Sequence, residues 1–120
     1  MLQNQNSSKP KVFFNASVIL AGLKSPAGGS GKLLNWCRNQ KINGVISEIV
    51  ADEATRHADK IGVKPAHLQL TLKTIFSQIF DAPAEKNAIK FGKIVVDPGD
   101  AHILASCYEI KPNFLVTLGK

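Results

Sequence analysis

Polar side chains stand where buried apolar runs end: Asn15 after Val12-Phe13-Phe14, Ser47 after Gly44-Val45-Ile46, Asp97 and Asp100 after Val95-Val96, Thr117 after Phe114-Leu115-Val116. A further acid, Glu53, lies at the margin of an apolar helical stripe. Carboxylates gathered at one point repel unless a cation neutralises them, and hard oxygen donors suit Mg²⁺ or Mn²⁺. Such a centre supports phosphodiester hydrolysis, because the ion lowers the pKa of a bound water and offsets charge developing on the phosphate. Each residue also has a plainer role. Asn15 can cap the turn after its strand, and Glu53 can pair with His57 one helical turn on. Asp97 as N-cap, Pro98 at the first position and Asp100 at the third make an ordinary helix start.

Other chemistry is poorly supported. Gly28-Gly29-Ser30-Gly31-Lys32 invites a phosphate-loop reading, but G-x-x-x-x-G-K-S/T would put Pro26 at its first glycine and Leu33 at its hydroxyl, so a flexible turn is expected. His57, His67 and His102 fit no metal spacing and read as surface residues. Cys37 and Cys107 sit among apolar neighbours and read as small hydrophobes. No nucleophile elbow or Cys/His pair stands out.

The elements that position these residues alternate. A buried strand begins at residue 11 and passes into helix at Asn15, followed by the Pro/Gly/Ser loop over residues 25–31. A helix is expected over residues 32–40, then a strand over 44–47. Ser47 caps a helix running to Ile61 and ended by Gly62. Pro65 opens a third helix with Leu68, Leu72, Ile75, Phe76 and Ile79 inward. Residues 81–90 read as a polar connection and 91–96 as a third strand. A helix over 100–110 buries Ile103, Leu104, Cys107 and Tyr108, and residues 113–117 form a fourth strand. This order implies right-handed βαβ crossovers and a three-layer α/β/α domain with a mostly parallel central sheet, whose chemistry gathers at the carboxyl ends of the strands.

The 120 residues make one domain able to bury a core of its own. Apolar runs are far too short to span a bilayer. Residues 1–10, rich in Asn, Gln and Ser, read as a disordered tail without the apolar stretch of a signal peptide. Two cysteines and no export signal point to the cytoplasm. Fifteen basic against nine acidic residues give a net charge of +6, which favours a polyanion such as RNA. The lysines are scattered, so this excess reads equally as a solvated surface.

The pattern resembles the PIN-domain family, most closely the branch of toxins from prokaryotic toxin–antitoxin pairs. That family's Asp-Thr/Ala-Asn/Ser between hydrophobic runs resembles Asn15-Ala16-Ser17, and its Ser-Pro…Gly loop resembles Ser25-Pro26-Ala27-Gly28, with Leu33-Leu34 beyond. Ser47 followed by Glu53, Asp97-x-x-Asp100 before Ile103-Leu104-Ala105, and Phe114-Leu115-Val116-Thr117 continue the match over residues 11–120. The resemblance implies a Rossmann-like domain, often a homodimer held by an antitoxin protein, that cuts single-stranded RNA with Mg²⁺ or Mn²⁺. It makes Asn15, Glu53 and Asp100 the catalytic metal ligands and Ser17, Asp97 and Thr117 supporting residues. Two departures open the alternative of a catalytically degenerate binding module for RNA or protein. The first acid is the amide Asn15, and Gly119 stands where a last acid is expected. The family's final strand and helix have no counterpart, so the domain over residues 11–120 reads as open to truncation at its C-terminus.

Overall fold

A computed structural model describes residues 9–94 and 98–118. Strand β1 (Lys11–Phe14) leads into helix α1 (Ala16–Lys24), and α2 (Gly29–Arg38) returns the chain to β2 (Asn43–Ser47). Helix α3 (Glu48–Arg56), a 3₁₀ turn (Ala58–Ile61) and α4 (Pro65–Ile75) connect β2 to β3 (Gln78–Phe80). Helices α5 (Glu85–Gly92) and α6 (Pro98–Ile110) precede β4 (Phe114–Val116). The four strands form one all-parallel sheet in the order β3-β2-β1-β4.

The strand order fixes the layers. From β1 the chain steps twice in one direction, to β2 and β3, then crosses back past β1 to β4. Right-handed crossovers therefore place α1–α4 on one face and α5–α6 on the other. The helix contacts agree: α1 packs on α2 and α3, α4 on α2 and α3, and α5 on α6. Phe13, Phe14, Val45 and Ile46 are fully buried between the layers, as central parallel strands require. Phe14 meets Phe76 edge to face at 5.3 Å between ring centroids.

Several expected elements move. The third strand is β3, not residues 91–96: Phe91 and Gly92 close helix α5, Lys93 and Ile94 form a turn, and Val95 and Val96 lie outside the described residues. Helix α4 ends before Phe76, whose extended backbone turns the chain into β3. The polar connection is half helix, because residues 85–90 favour helix and Glu109 anchors the first turn of α5. Its carboxylate accepts from Ala84 N–H at 2.8 Å and from the Asn87 amide at 2.5 Å.

The helix from Ser47 breaks at His57 into the 3₁₀ turn, which Gly62 ends at φ 74°. The glycine loop is partly helix: Gly29, Ser30 and Gly31 form the first turn of α2, and a Cβ on Gly31 would lie 2.2 Å from the Pro26 carbonyl oxygen. Tyr108 is about half exposed rather than buried. Of the N-terminal tail, residues 1–8 lie outside the described residues, while the Pro10 carbonyl accepts from Asn43 N–H. Among the described residues no helix is long and apolar enough to cross a membrane.

Candidate functional site

The strand order reverses at β1, with β2 and β3 added on one side and β4 on the other, so the crevice at the carboxyl ends of β1 and β4 is the switch point where ligands of such sheets bind. Asn15 lies at its centre. Its backbone N–H bonds to the Val116 carbonyl at 3.0 Å, extending the β1–β4 ladder by one residue. Its side chain caps α1, with Oδ1 accepting from Ala16 N–H at 2.8 Å, and Nδ2 donates to Thr117 Oγ1 at 3.1 Å. The plainer capping role and the chemical position are thus held by one side chain.

Asn15, Asp100 and Thr117 line a single cavity of about 200 Å³ with Ile103, Leu104 and Leu115. Asp100 is exposed in the first turn of α6, where the helix dipole favours an acid. Glu53 does not line that cavity. It projects from α3 toward α6, where its Oε1 lies 3.9 Å from His102 Nε2. Glu53 does not reach His57, so the pairing open to it from sequence is replaced by one between helices.

His102 is the residue that sequence reasoning missed. It is not on the surface: its side chain is only 17% exposed, and Nδ1 is buried without a hydrogen-bond partner. Burial pushes its pKa below the ordinary 6.5, while Glu53 and then Asp100 pull it up. Only Glu53 meets the imidazole directly, while Asp100 lies two residues before it on α6. The sequence offered only a weak signal: Ala105 and Ser106, three and four residues on, put small side chains on the same helix face, which the structure buries.

The supporting residues differ in how they are placed. Ser17 is on α1 with Oγ buried and unpartnered. Ser47 caps α3, its Oγ accepting from Val50 N–H at 3.2 Å at the end of β2. Asp97 and Gly119 lie outside the described residues. The amino ends of α1, α3 and α6 thus gather at the carboxyl ends of the strands, a field that suits phosphate.

Among the described residues no group of three or more His, Cys, Asp and Glu closes into a metal cage. None of these residues pairs Glu53 or Asp100 with a lysine or arginine. Asp100, an uncompensated carboxylate, shares the cavity with the Asn15 amide oxygen, and Glu53 adds a second carboxylate outside it, across His102, so the oxygens on offer are hard ones. Mg²⁺ is commonly held by one or two carboxylates, waters and the substrate's phosphates rather than by an all-protein cage, and this set fits that mode.

A family model described as PIN domain matches residues 11–120. No curated protein and no solved structure matches the chain.

Proposed function

This chain belongs to the PIN-domain family, a nuclease-type family that generally binds RNA and uses divalent metals, and we propose that it hydrolyses single-stranded RNA at the β1–β4 crevice. The observation that carries the reading is the convergence of Asn15, Asp100 and Thr117 on one cavity, with Glu53 reaching α6 at His102, two residues on from Asp100. Glu53 and Asp100 would hold Mg²⁺ or Mn²⁺, with the second lone pair of Asn15 Oδ1 as a weaker donor. When bound, the ion supplies an activated water and offsets charge on the phosphate.

The chain's own part is positional. Thr117 accepts the Asn15 amide and so fixes the side chain that caps α1. Burial of His102 favours the neutral imidazole, which leaves both carboxylates uncompensated for a cation. The helix amino ends receive the phosphate. The wider role we propose is the toxin of a toxin–antitoxin pair in the cytoplasm, working as a homodimer restrained by an antitoxin protein. Family membership supports that role, and co-purification with the product of a neighbouring gene tests it.

Cleavage of an end-labelled single-stranded RNA in Mg²⁺ or Mn²⁺ is the direct test. Glu53→Ala and Asp100→Ala each lower the rate by on the order of a hundredfold or more, as loss of a charge-stabilising group does. Rates in both variants equal to the parent's, or no cleavage with either ion, overturn the reading.

One observation favours a second reading, a binding module without catalysis. Position 15 is an amide that already spends its oxygen on a cap and its NH₂ on Thr117. That reading expects salt-sensitive RNA affinity that persists in chelator, with no cleavage under any divalent ion.

A further inference from the structure

Helices α5 and α6 carry on their outer face a cluster that the crevice does not use. The rings of Phe91 and Tyr108 lie 5.8 Å apart between centroids. Lys90 Nζ stands 4.9 Å from the Tyr108 centroid and 5.7 Å from that of Phe91, and Lys111 Nζ stands 5.3 Å from Tyr108. Tyr108 is about half exposed, and Ile94 beyond the end of α5 is also exposed. Two ammonium groups thus meet over one accessible ring.

Their charge is not compensated. Among the described residues neither lysine is paired with a carboxylate. The adjacent acid, Glu109, has its carboxylate committed to Ala84 N–H and the Asn87 amide at the start of α5. Lys111 also holds an uncommon backbone, φ 56°, as the residue that ends α6, its N–H bonded to the Cys107 carbonyl at 2.8 Å. Glycine fills such a position without steric cost. Gln40, just beyond the end of α2, has the same conformation at φ 59°, and the lysine in it at position 111 holds its ammonium over Tyr108.

We propose that Tyr108, Lys90 and Lys111 form a docking platform for single-stranded RNA, one base stacking on the exposed ring and flanking phosphates meeting the two ammonium groups. Exposed aromatic surface with lysines at its margin is the chemistry that binds single strands without sequence preference. A duplex hides its base faces and cannot use the ring. Tyr108 is eight residues beyond Asp100 on the same helix, about 12 Å along its axis. The platform thus lies about two helical turns from the crevice along α6, within reach of one bound strand. For its class of partner the inference rests on the RNA reading proposed above.

The test is fluorescence anisotropy of the full chain with a labelled 12-nucleotide oligouridylate in chelator, so that cleavage plays no part. Tyr108→Ala weakens binding about tenfold while Tyr108→Phe keeps it, because the ring face and not the hydroxyl is used. Lys90→Ala and Lys111→Ala together reduce the slope of log affinity against log salt by about 1.4, near 0.7 for each phosphate contact on a single strand. Lys111→Gly separates binding from stability, since it relieves the backbone, raises or preserves Tm, and still weakens binding.

Unchanged affinity and salt slope in the lysine pair overturn the platform, as does a Tyr108→Ala variant that binds like the parent. Equal affinity for a duplex of the same length, or for an acidic peptide, overturns it as well. If binding behaves as stated and no ion supports cleavage, the platform stands and the hydrolytic reading falls. Cleavage that depends on Glu53 and Asp100, with binding indifferent to Tyr108, gives the reverse.

Discussion

Asn15→Asp restores a carboxylate at the crevice with little change of shape, so its effect can be worked from contacts already described. The cap survives, because an aspartate oxygen accepts from Ala16 N–H as well as the present amide oxygen does at 2.8 Å. The Thr117 contact at 3.1 Å also survives once the hydroxyl turns from acceptor to donor. Placing the new charge at the amino end of α1 favours the fold by about 0.3–1 kcal/mol. Repulsion from Asp100, which shares the cavity, opposes it. Stability in chelator therefore stays within about 1 kcal/mol of the parent.

Ion binding responds more. Two unit charges 4 Å apart attract by about 1 kcal/mol in water and about 4 kcal/mol at the dielectric of a protein surface. Asn15 is half-buried and lies between these limits. After the repulsion released on binding and the hydration lost are set against each other, a net gain of about 1.4–2.8 kcal/mol remains, a ten- to hundredfold tighter Mg²⁺ or Mn²⁺. Calorimetric titration with Mn²⁺ measures it directly, and Tm in saturating ion against chelator measures it through linkage. Cleavage rate at subsaturating ion should rise in step. Divalent affinity within threefold of the parent, in a variant that folds normally, would falsify the assignment of position 15 to the metal site.

Two glycines of α2 separate close packing from chain flexibility. Gly31→Ala forces a Cβ to 2.2 Å from the Pro26 carbonyl oxygen, backbone that cannot step aside, and should cost about 2–3 kcal/mol by urea denaturation. Gly29→Ala meets no atom within 4 Å and should stabilise by about 0.4–1 kcal/mol in the same assay. His102 sets a pH dependence whose sign follows from burial. Its folded pKa lies below 6.5, so protons bind the unfolded chain first. Stability is then full above about pH 6.5 and falls with pH below it, until the folded imidazole itself protonates. Urea midpoints between pH 5 and 8 should slope less in His102→Gln than in the parent, and parallel curves contradict the burial argument.

The central half of this fold is readable from residues, and its edges are not. β1 and β2 announce themselves as apolar runs ended by a polar cap, because a strand buried on both faces cannot alternate. Asn15 and Ser47 perform the capping that their types and places suggest. β3 is hidden because Ile79 continues the helical spacing of Leu72, Ile75 and Phe76, and three strand residues cannot contradict a helical period already established. Helix α5 is hidden for a different reason. Its first turn is secured by Glu109, twenty-two residues beyond Asn87, and that partner is invisible to a local window. His102 escapes notice because spacing motifs seek pairs of histidines, whereas this one meets Glu53 from a different helix.

The pairing register carries a kinetic consequence. β1 aligns Lys11 with Asn43 on one side but Val12 with Phe114 on the other. Closing the first loop is entropically easy, and closing the second requires nearly the whole chain, so β4 is expected to dock late. β4 is also short and at an edge, with Phe114 and Leu115 exposed, the kind of segment that opens without global unfolding. The bond between Asn15 and Thr117 spans 102 positions and forms only with that docking. The crevice is therefore assembled last and can be lost first: an incompletely folded chain carries Glu53 and Asp100 yet has no closed site in which to use them.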